Sequence, residues 1–134
     1  MNNYKVIIAH PGRQHSFRLA SSLKKYGHLF KYITTVYNKE SSLLMKIGKL
    51  ILTKDSLRRL KNRKNKDLLD QDVVQFNEIH GLLLLLLIRL DSKKRLFNPL
   101  NDYVSKLFGK KVANYAIKNN VNAVICYDGN FSAL

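Results

Sequence analysis

Apolar residues occur along the chain in short runs that polar, glycine-containing or proline-containing stretches separate. The first run, residues 6–9, is continuously apolar, which predicts a strand covered on both faces of a parallel sheet. Pro11 and Gly12 end this strand. The apolar residues that follow recur at helical spacing: Phe17, Leu19, Ala20, Leu23 and Tyr26. With Gly27 as a C-terminal cap, the segment predicts a βα unit.

The next segments continue the alternation of strands and helices. Residues 29–37 are rich in β-branched and aromatic side chains and predict a second strand. Residues 43–52 predict a helix with an apolar and a basic face, and another helix is predicted to begin at Ser56. A weaker alternation over residues 72–79 predicts a third strand, exposed or at a sheet edge.

The second half of the chain contains a leucine-dominated run and a long helical pattern. Residues 81–90 are apolar but not β-branched, which predicts a buried helix. Asn98 followed by Pro99 is typical of the start of another helix, which we expect to be interrupted near Gly109. Residues 121–127 predict a fourth, apolar strand.

Together these elements predict an α/β fold with a Rossmann-like, mostly parallel sheet and flanking helices. A chain of 134 residues has room for one domain, into which residues 40–67 would insert a basic helical segment. Because the chain ends at Leu134, soon after the fourth strand, we expect an incomplete domain. The lone Cys126 lies in an apolar strand pattern, no leader peptide is evident, and Leu82–Ile88 is too short to cross a bilayer. We expect a cytoplasmic protein, soluble or peripheral on the inner face of the cell membrane.

Charge is the strongest compositional signal, since 24 Lys and Arg oppose 9 Asp and Glu for a formal net charge of +15. Such a balance indicates an anionic partner. Much of the charge lies in one segment, here named the basic patch, where Asp55 is the only acid: Lys46, Lys49, Lys54, Arg58, Arg59, Lys61, Arg63, Lys64 and Lys66. Three interpretations are open: contact with an anionic membrane, contact with nucleic acid phosphates, or a solvated helical face.

Candidate site chemistry is concentrated in the loop after the first strand. His10, Gly12, Arg13, Gln14 and His15 lie where ligands bind in open α/β sheets, just before a helix N-terminus that favours anions. The turn after the fourth strand adds three residues at the same predicted rim: Asp128, Gly129 and Asn130. The alternative is a plain turn with Arg13 in water. Glycine spacing supports neither a dinucleotide fingerprint nor a P-loop, and we predict no cofactor and no metal.

Two segments carry a family resemblance. The opening KVIIAHPGRQHSFRLASSLKKYG with FKYITTVY, and the later FGKKVANYAIKNNVNAVICYDG, resemble the amino-terminal domain of bacterial family-four-type glycosyltransferases of the GT-B architecture. The resemblance implies sugar transfer from a nucleotide sugar to a cell-surface polysaccharide or lipid-linked acceptor. Gly12 would let the first loop approach the donor diphosphate, His10 is a candidate base, and Arg13, Gln14 and His15 would line the cleft.

The sequence also departs from that family. Such enzymes hold the donor nucleotide in a carboxyl-terminal domain, commonly with paired glutamates, whereas this chain has only Glu40 and Glu78. We therefore expect a fragment that lacks the donor-binding domain and is inactive alone, with an anionic membrane surface as a further partner and no nucleic acid. Two other interpretations stay open: a basic, non-enzymatic nucleic-acid-binding protein, and a binding module for small phosphorylated ligands.

Overall fold

The computed structural model describes residues 4–12, 16–39 and 42–127, which alternate between strands and helices. The strands are β1 (Val6–Ala9), β2 (Leu29–Thr34), β3 (Val73–Gln75) and β4 (Ala123–Cys126). The helices are α1 (Ser16–Lys25), α2 (Leu43–Ile51), α3 (Lys54–Lys61), α4 (Glu78–Leu90) and α5 (Phe97–Lys118), with a 3₁₀ turn at Asp70–Asp72.

Within the described residues, the strands form one four-stranded sheet in the order β3-β2-β1-β4. All three pairings are parallel, and β1 lies between β2 and β4. The β1–β4 register is regular, from Val6 opposite Ala123 to Ala9 opposite Cys126. The chain therefore has the Rossmann-like α/β fold that its apolar pattern predicts, with helices on both faces of a parallel sheet.

Alternate residues of β1 enter two different cores, one on each face of the sheet. Ile7 packs with Phe108 and Val112 of α5, whereas Ile8 packs with Ala20 of α1 and Tyr32 of β2. The strand order explains this division. The chain moves from β1 through β2 to β3 in one direction and returns past β1 to β4, so right-handed connections must place α1 and α5 on opposite faces.

Each end of α1 is fixed by a specific feature. At its start, the buried hydroxyls of Ser16 and Tyr32 are hydrogen-bonded at 3.0 Å. At its end, Gly27 has φ +74°, a backbone conformation that glycine adopts without strain, as predicted for the cap. The placement of Tyr26 on the apolar face is wrong: the helix ends at Lys25, and the Tyr26 side chain is 71% exposed.

The leucine run is helical, as predicted, but the prediction that it is buried is wrong. Gly81 and Leu85 are buried in α4, while Leu83, Ile88 and Leu90 are exposed. The side of the helix with Gly81 and Leu85 packs against neighbouring elements, and the side with Leu83 and Leu90 is open. The sequence does not distinguish these sides, because an all-leucine run has no polar positions to indicate which side faces solvent.

The start of α5 also differs from the prediction. Asn98 was expected to cap the helix, but α5 begins at Phe97, and the Asp91 carboxylate accepts hydrogen bonds from the backbone N–H groups of Leu96 and Phe97 at 2.6 and 2.8 Å. These bonds lower the pKa of Asp91. The predicted interruption near Gly109 is absent, since α5 is continuous and Gly109 is buried within it.

The third strand lies at the sheet edge, as predicted, but is shorter than residues 72–79. It ends at Gln75, and α4 already begins at Glu78. Before the strand, the Lys24 ammonium group is paired with the Asp72 carboxylate at 2.5 Å, and Lys31 donates to the carbonyl of Gln71 at 2.6 Å. These contacts connect the 3₁₀ turn to α1 and β2. Across residues 4–12, 16–39 and 42–127, no helix has both the length and the apolar character needed to cross a membrane.

Two helical glycines provide a matched test of packing. A Cβ atom at Gly81 would lie 2.5 Å from Val36 Cγ2 and 2.9 Å from Thr35 Oγ1, whereas one at Gly48 would meet Leu82 at an ordinary 3.6 Å. We expect Gly81→Ala to lower the free energy of unfolding by about 1–2 kcal/mol, because overpacking outweighs the gain in helix propensity. Gly48→Ala should raise it by up to about 1 kcal/mol. Urea titration monitored by circular dichroism measures both, and equal effects would contradict the packing of α4 against residues 35 and 36.

Burial raises the pKa of Tyr32 to about 12, although the hydrogen bond with Ser16 partly opposes this shift. Below pH 10, where the phenol is protonated in both folded and unfolded chains, its contribution to stability is complete. Between about pH 10 and 12 the unfolded chain releases this proton while the folded chain retains it, so the free energy of unfolding should fall, by up to about 3 kcal/mol.

Tyr32→Phe provides the control for this prediction, because lysines also titrate in that range. The stability difference between the parent protein and Tyr32→Phe should shrink as the pH rises through this window. A difference that stays constant from pH 9 to 12 would show that the Tyr32 phenol does not stay protonated in the folded chain.

Candidate functional site

The candidate site lies at the carboxyl edge of the sheet, beside β1. The sheet order reverses at β1, with β2 on one side and β4 on the other, and ligands of open α/β sheets bind at such reversal points. His10 follows β1 and Tyr127 follows β4, and their ring centroids are 6.3 Å apart in an edge-on arrangement. The fold therefore brings two aromatic rings with polar atoms to the position where a ligand is expected.

His10 is held in a defined orientation. Only 4% of the residue is exposed, and its backbone N–H donates to the carbonyl of Ile33 at 2.9 Å. The backbone N–H of Gly12 donates to His10 Nδ1 at 2.9 Å. Because Nδ1 accepts this bond, the ring proton of the neutral imidazole is on Nε2. In this tautomer Nε2 is a hydrogen-bond donor. The action of His10 as a base stays a prediction, and it would require the bond from Gly12 to be released.

The loop at residues 11 and 12 is tied to the end of β2. Thr35 Oγ1 donates to the carbonyl of Pro11 at 2.5 Å, and Thr34 Oγ1 donates to the carbonyl of Gly12 at 3.3 Å. A Cβ atom at Gly12 would lie 3.1 Å from His10 Cε1, so a side chain there would push against the imidazole. Glycine at this position lets the backbone pass close to the ring.

An open cleft of about 300 Å³ extends from this loop between the sheet edge and the helices. It draws residues from the loop after β1, the end of β2, the segment after α3, and helices α4 and α5. The lining residues are His10, Pro11, Gly12, Thr35, Arg63, Gly81, Leu84, Leu85, Ile88, Phe97, Asn101, Val104 and Ser105.

The lining combines donor groups and apolar side chains. Donors include the His10 imidazole and the Arg63 guanidinium, and the apolar part is formed largely by Leu84, Ile88 and Phe97. None of the described lining residues is acidic. Such a set favours an anionic or hydroxyl-bearing ligand with an apolar portion, because arginine and imidazole N–H groups pair with phosphate and hydroxyl oxygens.

The structure brings two of the predicted site residues together, His10 and Gly12. The other predicted rim residues lie outside the described part of the chain: Arg13, Gln14, His15, Asp128, Gly129 and Asn130. Of the basic patch, Arg63 is half-buried and lines the cleft rather than the outer surface. The other patch residues are exposed: Lys46, Lys49, Lys54, Arg58, Arg59, Lys61, Lys64 and Lys66.

Sequence reasoning did not identify the contributions of α5 to the cleft. Ser105 is buried on the inner side of α5, next to Val104 and one turn before Phe108, and Asn101 lies one turn before Ser105. The available signal for a polar contribution to the cleft was a serine and an asparagine one turn apart on the inner side of a helix. Their position at the carboxyl edge depends on how α5 crosses the sheet, which no local pattern specifies.

Comparisons with family models, with curated proteins and with solved structures return no match to this chain.

The Thr35 hydroxyl provides a test of how the site loop is held. We expect Thr35→Val to lower the free energy of unfolding by about 1–2 kcal/mol, because the Pro11 carbonyl loses its donor in a part-buried position. Thr35→Ser keeps the hydroxyl and should cost less. Chemical denaturation measures both variants, and an equal loss in the two would show that the hydroxyl does not restrain the loop.

Proposed function

We propose that this chain forms the acceptor-side domain of a family-four-type glycosyltransferase of the GT-B architecture. The reaction would transfer a sugar from a nucleotide sugar to a cell-surface polysaccharide or lipid-linked acceptor. The observation that carries the proposal is the cleft at the carboxyl edge of β1, which His10 and Arg63 line together with apolar residues of α4 and α5.

The chemistry of the cleft supports this assignment in two ways. A nucleotide sugar contributes a diphosphate, and the His10 Nε2 proton and the Arg63 guanidinium are suited to its oxygens. A lipid-linked acceptor contributes hydrocarbon next to its phosphate and hydroxyl groups, and Leu84, Ile88 and Phe97 are suited to that part.

Each element of the site has a role in the proposed reaction. Gly12 allows the loop backbone to approach the donor diphosphate, while its N–H holds the His10 ring through Nδ1 and leaves the ring proton on Nε2 for a ligand oxygen. Arg63, held on the segment after α3, adds positive charge that compensates the diphosphate as it departs from the sugar. The donor nucleotide itself would be held by a second domain, as in the family that the sequence resembles.

A titration with nucleotide sugars tests the proposal. In ¹⁵N-labelled protein, inorganic pyrophosphate should shift the backbone amide signals of the residues at the cleft, above all His10, Gly12 and Thr35. UDP-glucose and GDP-mannose should shift the same signals through their diphosphates without binding more tightly, because the nucleotide would be held by the second domain. We expect His10→Phe to weaken this binding about tenfold, the loss expected when a hydrogen bond to a charged group is removed.

His28→Phe is the matched control, because His28 is exposed and immediately precedes β2, at the opposite edge of the sheet. It should leave the affinity unchanged. If none of these compounds shifts cleft amides, or if the two histidine variants weaken binding equally, the proposed site is wrong.

A further inference from the structure

Helix α2 has a row of aliphatic side chains that the described residues leave uncovered. Leu50 is 87% exposed, Ile51 69% and Ile47 44%. Residues at positions i, i+3 and i+4 of a helix lie on one face, so these three side chains form a continuous apolar strip along α2. An exposed leucine is common by itself, but three aligned on one short helix indicate a contact surface.

A different side of α2, together with the residue that follows the helix, already attaches it to the domain. Gly48 is buried against the Leu82 side chain of α4, and Leu52 joins Leu82 in a small core around Val36 and Leu85. These contacts attach the helix to the domain, and none of them involves Ile47, Leu50 or Ile51.

Basic residues border the apolar strip. Lys46 and Lys49 are exposed at positions i and i+3, on the side of α2 next to Leu50. Helix α3 follows after two residues and exposes a second row, one turn apart: Lys54, Arg58 and Lys61. The one acid among residues 46–66, Asp55, is paired with Arg89 of α4, so the positive charge of this surface is not offset locally.

We propose that α2 is a docking surface for an anionic phospholipid bilayer. The Ile47, Leu50 and Ile51 side chains enter the boundary between headgroups and acyl chains, while Lys46 and Lys49 pair with lipid phosphates at the rim. Nucleic acid would satisfy the lysines but leave the aliphatic strip in water, whereas a bilayer satisfies both. The inference is independent of the proposed glycosyltransferase function.

The sequence contains no tryptophan, which allows a site-specific fluorescence test. In Leu50→Trp the new indole should shift its emission to shorter wavelength with vesicles of phosphatidylglycerol and phosphatidylcholine, and bromine-labelled acyl chains should quench it. Pure phosphatidylcholine vesicles should give little response. Ile117→Trp is the matched control, since Ile117 is similarly exposed but lies on α5, and its emission should not change.

A charge test completes the experiment in the Leu50→Trp background. Replacing Lys46 and Lys49 by Gln should weaken binding to the anionic vesicles by roughly fivefold per lysine, or about 25-fold for the pair. Replacing the exposed Lys25 and Lys118, on α1 and α5, removes the same charge and should have a much smaller effect.

Three results would overturn the proposal. The first is that the emission of Leu50→Trp does not shift with anionic vesicles, and the second is that the emission of Ile117→Trp shifts equally. The third is that Leu50→Trp responds more strongly to duplex DNA than to vesicles at equal phosphate concentration. The third would indicate that the basic surface serves nucleic acid instead.

Discussion

The structure depends on the enclosure of β1. Its backbone is hydrogen-bonded to β2 on one edge and β4 on the other, so the buried polar groups of residues 6–9 are paired within the sheet. Its side chains are buried on both faces, and full burial of an Ile is worth about 1.5–3 kcal/mol. No polar side chain could occupy these positions without a large cost. The first place where β1 can present a functional group is therefore its carboxyl end, at His10.

The sequence indicates this central part of the fold well, since its signals are local and agree with each other. A four-residue apolar run, a Pro-Gly break and a helix ending before Gly27 each have one physical interpretation. Prediction fails where tertiary contacts decide. The Asp91 carboxylate, six residues before Phe97 in the chain, caps the start of α5 in place of Asn98. The side of α4 that is buried follows from the packing of Leu85 with Val36 and Leu60, which lie 49 and 25 residues before Leu85 in the chain.

The same distinction applies to the candidate site. His10 and Gly12 could be found from sequence, because the carboxyl end of a buried strand is a general ligand position. The place of Arg63 could not, because it lies in a segment of alternating basic and asparagine residues, and nothing local separates it from the exposed members of the patch. It is held inward where the chain leaves α3: its N–H donates to Leu60, a buried residue, and its carbonyl accepts from Asn38. These backbone bonds place the main chain of residue 63 beside the cleft, which composition alone does not specify.

Helix α4 connects the cleft with the surface of α2. Leu82 supports α2 through Gly48, while Leu84 and Ile88 of the same helix face the cleft. Because a packed helix moves as a rigid unit, a bilayer bound at α2 would fix the distance and orientation of the cleft relative to the lipid headgroups. A cleft with an apolar side at a fixed height above a membrane is suited to a ligand whose hydrocarbon stays in the bilayer while its polar end is handled by protein. The two proposals are thus separate in their tests but compatible in geometry. If both hold, a lipid-linked acceptor is favoured over a free polysaccharide, because a free polysaccharide has no hydrocarbon to contact Ile88 and no bilayer to contact Leu50.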